Sequence, residues 1–269
     1  MKLIKICIII FLLCSCRESS SIQIIHITDT HADYDSTAWD AFIVNGAWKR
    51  VDAVLDGGDF CDELTDEMLD KSNQVPRIST YGNHEDIRNP RAILEKKNPR
   101  VHTVGAWTVL CLPYWTDLPK ENIRWLRYAL IRAKAPVMIL THTPLVLRDK
   151  KAVDFFDKYG APYGYAPDGI KQILEIIDES GKVRCVLSGH HHQNYLAIRH
   201  GIPYISTVNL KFGYRILTLS EHSISSEFVP STETAYHKSS GWRIFPRASN
   251  LPENHILGFH AERNFTFSF

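Results

Sequence analysis

The sequence predicts a layered α/β fold in which two packed, mixed β-sheets are flanked by helices. Three observations carry that prediction. Apolar runs of strand length alternate with stretches of helical period, the pattern of layered α/β packing. Five of those runs stop abruptly at a cluster of polar side chains. Later segments, beyond about residue 194, are strand-like with turns and no helix between them, which a second mixed sheet packed on the first accounts for.

Taken in order, residues 23–28 form the first apolar run and stop at Asp29-Thr30-His31. Residues 36–49 have helical character, and residues 51–55 then run into Asp56-Gly57-Gly58-Asp59. A second helical stretch over 63–71 precedes the run 77–80, which enters Tyr81-Gly82-Asn83-His84-Glu85. Residues 119–133 read as a helix, with Asp117 ahead as a cap and Ile123, Leu126 and Leu130 at helical spacing. The run 137–140 ends at Thr141-His142. Residues 167–180 carry Ile170, Ile173, Leu174 and Ile177 on one face and stop before Gly181. The run 183–187 enters Ser188-Gly189-His190-His191-His192. The later strand-like segments are 195–199, 203–208, 215–219 and 223–229. The remainder, from about 231 to 269, lacks clear period and is expected to wrap the outside, although the alternation Phe265-Thr266-Phe267-Ser268-Phe269 predicts a strand with one aromatic face.

At 269 residues the chain is long enough for a full core and close to the size at which single cores stop growing, so residues 23–269 are read as one domain. A formal net charge of +1 supplies no field to hold polyanions, which argues against nucleic-acid binding by bulk charge. The first residues follow a different grammar. Lys2 and Lys5 precede an apolar stretch over 6–13 that is too short to span a bilayer as a helix, so residues 1–15 read as a signal peptide. Leu13-Cys14-Ser15-Cys16 resembles the bacterial lipobox, which implies lipidation of Cys16, residues 16–22 as a short tether, and an exported protein anchored in the cell envelope. Removing Cys7, Cys14 and Cys16 leaves Cys61, Cys111 and Cys185, an odd and widely spaced set with no disulfide framework.

The polar clusters matter because loops at the carboxyl ends of strands converge on one rim of an α/β fold, where ligands bind. Each cluster alone is weak; Gly-Gly-Asp is an ordinary turn, and a lone His after a strand is an ordinary core group. Their order is not ordinary. Asp29-x-His31, Gly58-Asp59, Gly82-Asn83-His84-Glu85, His142 and Gly189-His190-x-His192 together resemble the motif set of the calcineurin-like metallophosphoesterases, spanning Asp29 to His192.

That resemblance implies a four-layer α/β/β/α sandwich with two metals at the strand ends. It implies one metal held by Asp29, His31, Asp59 and His192, and a second by Asp59, Asn83, His142 and His190, with Asp59 shared. Imidazole and carboxylate donors suit manganese, iron or zinc, whereas the few carboxylates argue against calcium. His190 and His192 alternate along an extended segment, so they point the same way while His191 points away, and His191 is expected not to be a ligand. Two metals ~3.5–4 Å apart acidify a shared water and clamp phosphate oxygens, so the nucleophile is expected to be a bridging hydroxide. By the same resemblance His84 protonates the leaving alkoxide. Its orienting carboxylate is expected to be Asp62, because Asp59-x-x-Asp62 resembles the spacing of the protein-phosphatase branch in which the second Asp pairs with the catalytic His, with Glu85 as the alternative.

The sequence departs from the protein-phosphatase branch of that family. Glu63-Leu64 stand where Arg-Gly is expected and Tyr81 where an arginine precedes Gly-Asn-His-Glu, so the arginines that grip phosphate on proteins are missing. The long connection 144–166 carries Phe155, Phe156, Tyr159, Tyr163 and Tyr165 with Lys150, Lys151 and Lys158. Such a loop reads either as a lid, with Tyr163 and Tyr165 against substrate, or as aromatics packing the loop down. The expected substrate is a small phosphoester: a nucleotide, sugar phosphate or phosphodiester headgroup. Rival readings on the same residues are a non-catalytic lipoprotein that binds metal or a phospho-ligand, and a lipid-headgroup or phosphoprotein hydrolase.

Overall fold

The computed structural model describes residues 21–32, 35–60, 75–85, 99–112, 120–134, 136–148, 167–231 and 257–269. Twelve strands among these residues form two six-stranded sheets. The first sheet has the order β12-β11-β10-β1-β2-β3, built from Ile22–Ile27 (β1), Ala53–Asp56 (β2), Arg77–Ser79 (β3), Gly213–Leu219 (β10), Ser223–Pro230 (β11) and Phe265–Ser268 (β12). The second has the order β4-β5-β6-β7-β9-β8, built from Arg100–Val104 (β4), Trp107–Leu112 (β5), Val137–Thr141 (β6), Val183–Ser188 (β7), Tyr195–Arg199 (β8) and Ile202–Ser206 (β9). β1, β2 and β3 are mutually parallel, as are β5, β6, β7 and β9, while β4, β8 and β10 to β12 pair antiparallel.

Strand period explains the layers. On β1, Ile22 and Ile24 face the space between the sheets, and Ile25 and Ile27 face outward. On β6 and β7, Met138, Leu140, Cys185 and Leu187 meet that first set from the other sheet. The outward residues Val137, Ile139, Val183 and Val186 pack under the helices Lys120–Arg132 (α2) and Pro167–Ser180 (α3) through Leu126, Leu130, Ile173 and Ile177. On the opposite outer face, Trp39 and Phe42 of Thr37–Asn45 (α1) cover Ile25, Ile27 and Val54. The order helix, sheet, sheet, helix is the four-layer sandwich that the sequence predicts. The central strands are buried on both faces, which is why they read as unbroken apolar runs.

Four details differ from the sequence reading. The later strands do not make a sheet of their own: β8 and β9 complete one sheet, while β10, β11 and β12 complete the other. β1 begins at Ile22, one residue ahead of the apolar run read over 23–28. The terminal aromatic strand does form, but as β12 it extends the first sheet beside β11, with Phe265 and Phe267 packed on the inner core, rather than wrapping the outside. It follows a short helix, His260–Arg263 (α4). β4 and β5 form an antiparallel hairpin that no polar-terminated run had marked. Cys111 and Cys185 are free and buried, so neither sits in a disulfide. No helix among the described residues is long and apolar enough to cross a membrane.

Candidate metal centre

The five polar clusters meet at one end of the sandwich. β1, β2 and β3 run one way in their sheet, β6 and β7 run together in theirs, and the loops behind them are tied across the two rims. Asp29 N–H donates to the Gly58 carbonyl and His31 N–H to the Asp59 carbonyl, both at 2.9 Å, joining the loops behind β1 and β2. Gly189 N–H donates to the His142 carbonyl at 2.9 Å, joining those behind β6 and β7. His142 crosses between the sheets, its Nδ1 lying 2.8 Å from the Gly57 carbonyl.

Each ligand-type carboxylate has one oxygen fixed by the chain and the other turned into the site. Asp29 Oδ2 accepts from Thr28 Oγ1 at 2.7 Å and from His190 N–H at 2.8 Å, while its Oδ1 faces His192 Nε2 at 3.1 Å. Asp59 Oδ1 accepts from His84 N–H at 2.8 Å, while its Oδ2 faces His142 Nε2 at 3.3 Å. The remaining imidazoles close in on these oxygens. His31 Nε2 and His192 Nε2 are 3.4 Å apart, His190 Nδ1 and His142 Nε2 are 3.1 Å apart, and Asn83 Oδ1 lies 3.0 Å from His142 Nε2. Asp29, His31 and His192 thus form one donor group and Asp59, His142 and His190 a second, each compact enough to share one cation. The donor chemistry fits two metals of the manganese, iron or zinc class, because each group turns one buried carboxylate and two imidazole nitrogens to a common point. Every one of the seven expected ligands is in this cluster.

The backbone itself is strained here. Asp29, His31, Asp59, His190 and His192 all adopt left-handed φ angles between 46° and 63°. Each such residue costs about 1–3 kcal/mol and persists only where its surroundings hold it. This corrects the reasoning offered for His191. Residues 190–192 are not an extended strand; left-handed turns at His190 and His192 send those two side chains to the site, while buried His191 stands outside both donor groups. Two glycines are required by closeness. A Cβ on Gly82 would strike Asp59, and one on Gly189 would strike Thr28 and Asp29.

The charges follow from burial and proximity. Burial alone would raise Asp29 and Asp59, but His192 beside the first and His142 beside the second hold both carboxyls well below the ordinary range. His142 goes the other way: burial would lower it, yet Asp59, by charge and hydrogen bond, pushes it up to about 10. Burial takes His31 down to about 4.

Glu85 turns its carboxylate to the backbone. Its Oε2 accepts from Asp59 N–H at 3.0 Å and Gly82 N–H at 2.7 Å, and its Oε1 accepts from Phe60 N–H at 2.8 Å, so it staples the Asp59 loop to the Gly82 loop. Burial and nearby Asp59 push its carboxyl up to about 8. His84 stands on the rim of the site, its ring 4.8 Å from that of His31 and its Nε2 3.9 Å from Asp59 Oδ2, within reach of the His31 and Asp59 donors as well. Asp62, Tyr163, Tyr165 and Cys16 lie outside the described residues, as do the helix expected over 63–71 and Cys61. Tyr81 is buried, so the position where an arginine would grip a phosphoprotein turns inward.

Two supporting residues were not anticipated. Thr28 holds Asp29 by its hydroxyl, and its place directly before the first ligand was a readable signal. Asn209 donates its amide to the Asp29 carbonyl from the segment behind β9; 180 residues away, it carries no local signal.

With this geometry in hand, comparison with known proteins is specific. The profile of the calcineurin-like phosphoesterases matches residues 22–194. A probable cyclic nucleotide phosphodiesterase of Synechococcus sp. is 23% identical over 204 residues, covering 66% of this chain and 76% of the relative. Among solved structures, a dimetal phosphatase from Danio rerio superposes with a TM-score of 0.61 at 14% identity, covering 79% of this chain and 97% of the other. GAP50, described as the anchor in the inner membrane complex of Plasmodium, gives a TM-score of 0.57 at 12% identity, covering 79% and 85%. These two likenesses concern the fold; the matched family and the donor cluster speak to chemistry. The chain belongs to the calcineurin-like phosphoesterase family and is a metal-dependent phosphoester hydrolase.

Proposed function

We propose that this protein is an exported, lipid-tethered, dinuclear hydrolase of small phosphoesters, and that a phosphodiester of the cyclic-nucleotide kind is its preferred substrate. The observation that carries the reading is the pair of donor groups flanking Asp59, with Asn83 joining the second. Asp29, His31, Asp59 and His192 would hold one metal; Asp59, Asn83, His142 and His190 would hold the other. Two such metals supply an acidified water and positive charge against the phosphate oxygens. The phosphodiesterase relative supports a diester, and buried Tyr81, in place of a phosphate-gripping arginine, disfavours phosphoproteins.

The chain's own residues then have separate tasks. Thr28 and His190 N–H fix one oxygen of Asp29, and His84 N–H fixes one oxygen of Asp59, so the other oxygen of each is aimed before substrate arrives. Asn83 turns its amide oxygen toward His142, which leaves its N–H hydrogens for a phosphate oxygen. His84, beside His31 on the rim, donates a proton to the departing alkoxide.

A direct test loads the purified protein with manganese, zinc or iron. Cyclic nucleotides, a bis-aryl phosphate and an aryl monophosphate are then compared, with mass measurement of the N-terminal peptide from the membrane fraction. Turnover highest on diesters, with acylated Cys16, is expected. Two bound metals with no turnover on any ester would turn the reading toward a non-catalytic binding lipoprotein.

A further inference from the structure

The end of the sandwich opposite the metal centre has a character of its own. It is formed where the parallel strands begin: the segment Ala47–Arg50 ahead of β2, the last turn of α2 ahead of β6, and the turn into β7. These bring Lys49, Arg50, Arg132, Lys134, Lys182 and Arg184 to one pole. Among the described residues none of the six pairs with a carboxylate. Lys49 lies over the Trp48 ring, Arg132 donates to the Tyr128 hydroxyl, Arg184 to the Gly181 carbonyl, and Lys182 caps three carbonyls at the end of α2. Among the described acidic residues of the same pole, Asp178 pairs with Arg199 and His200 and Glu179 with Arg127, while Asp52 accepts from the Gln23 N–H and keeps its charge, as does Glu221. The last turns of α2 also expose Tyr128 and Ile131, at 58% and 73%. A cationic surface interleaved with exposed aromatic and aliphatic side chains is the composition that settles on an anionic lipid interface.

The chain enters at this same pole. Ile22 opens β1 there, and the β4–β5 turn packs on it, since a Cβ on Gly105 would touch the Ile22 side chain. β1 then climbs six residues, roughly 20 Å, toward Asp29 at the metal rim. From Cys16 to Ile22 the chain reaches at most about 20 Å. An anchor on Cys16 therefore stays near the pole, and a fully stretched tether only just spans the height of the sandwich.

Resting on the lipid-anchor reading of Cys16, we infer that the pole formed by Lys49, Arg50, Arg132, Lys134 and Arg184 docks on an anionic phospholipid bilayer. The metal centre is thereby held facing away from that bilayer, and the substrate comes from solution rather than from the headgroups of the anchoring membrane. The tether limits the approach; the charge selects the face.

The test uses the full chain, reconstituted in vesicles of phosphatidylcholine with or without a phosphatidylglycerol that carries a photoactivatable headgroup. Cross-links are mapped by mass spectrometry. Labels are expected on the peptides carrying Lys49, Arg50, Tyr128 and Lys134, and not on those carrying His31, His84 or His192. In the combined variant Lys49→Glu, Arg50→Glu, Arg132→Glu, Lys134→Glu, pole labelling should fall at least about tenfold, since each cation near an anionic surface contributes roughly fivefold. Hydrolysis of a soluble diester should be unchanged, and the reconstituted enzyme should release no phospholipid headgroup. Labels clustered at the metal rim, headgroup release, or a variant labelled like the parent would each overturn the inference. The mass of the N-terminal peptide reads the anchor separately: an unacylated Cys16 with pole labelling intact removes the anchor and leaves the docking face standing.

Discussion

His142 Nδ1 lies 2.8 Å from the carbonyl of Gly57, on the neighbouring sheet. A carbonyl only accepts, so Nδ1 carries the hydrogen and Nε2 is the atom turned toward Asp59 and Asn83. One hydrogen bond thus joins the two sheets at the rim and decides which ring nitrogen serves the metal.

Metal uptake at that nitrogen should release a proton. In the metal-free protein, Asp59 outweighs burial and pushes His142 up to about 10, so the ring is protonated at neutral pH. Metal needs the neutral ring, so apparent affinity should rise about tenfold per pH unit over the neutral range and level off near pH 10. Titration calorimetry in buffers of different ionisation enthalpy reads the proton count directly. An affinity flat between pH 6 and 9 would refute the exchange.

His84→Ala should cut turnover by ~10²–10⁴-fold while both metals stay bound. The loss should be larger for an alkyl leaving group, which needs a proton, than for a nitrophenolate, which does not. Equal losses for the two esters would remove His84 from the protonation step, and loss of metal would make it a ligand instead.

Glu85→Ala should weaken metal binding by ~10–100-fold. Three backbone N–H groups lose their acceptor, and the Asp59 and Gly82 loops are no longer stapled. Excess metal should restore most of the turnover, which a role for Glu85 in the proton transfer itself would not allow. Metal titration of activity distinguishes the two.

Gly189→Ala should cost about 1–3 kcal/mol of stability or more, because the added methyl overlaps Thr28 and Asp29. Gly181→Ala is the control for removing a glycine, since nothing lies near its Cβ position, though its φ of +61° makes it mildly strained. Chemical denaturation of the two variants should separate them, with activity lost in the first.

Acid stability should depend on His26. This residue is wholly buried, with Nδ1 2.7 Å from Thr207 Oγ1, and burial together with Arg215 lowers it to about 3. The unfolded chain takes up a proton near pH 6.5 that the folded chain refuses until about 3, so stability falls as pH drops through that window. The slope from this one group is about 1.4 kcal/mol per pH unit. His26→Gln should lower stability at neutral pH yet flatten the acid slope by that amount, a difference that denaturation curves at pH 5 and 7 measure.

Much of the site was readable because its signals are local. A strand of buried residues that ends in Asp-x-His or Gly-Asn-His-Glu states both the element and the donors behind it, and α3 was legible over Pro167–Ser180 from apolar spacing and the Gly181 that follows. The backbone contacts of Glu85 were not readable, because its position next to His84 says nothing about where its carboxylate goes. The left-handed backbone at Asp29, His31, Asp59, His190 and His192 was equally silent, since no residue type announces strain that distant contacts maintain.

The sequence alone determined which donors exist, in which order, and that each stands just past a strand, because ligand chemistry and strand period are properties of neighbouring residues. Only the tertiary structure decided which sheet each strand joined and which atoms met. A strand buried on both faces reads the same in either sheet, and contacts such as His192 to Asp29 arise only when two packed layers bring separate rims to one edge.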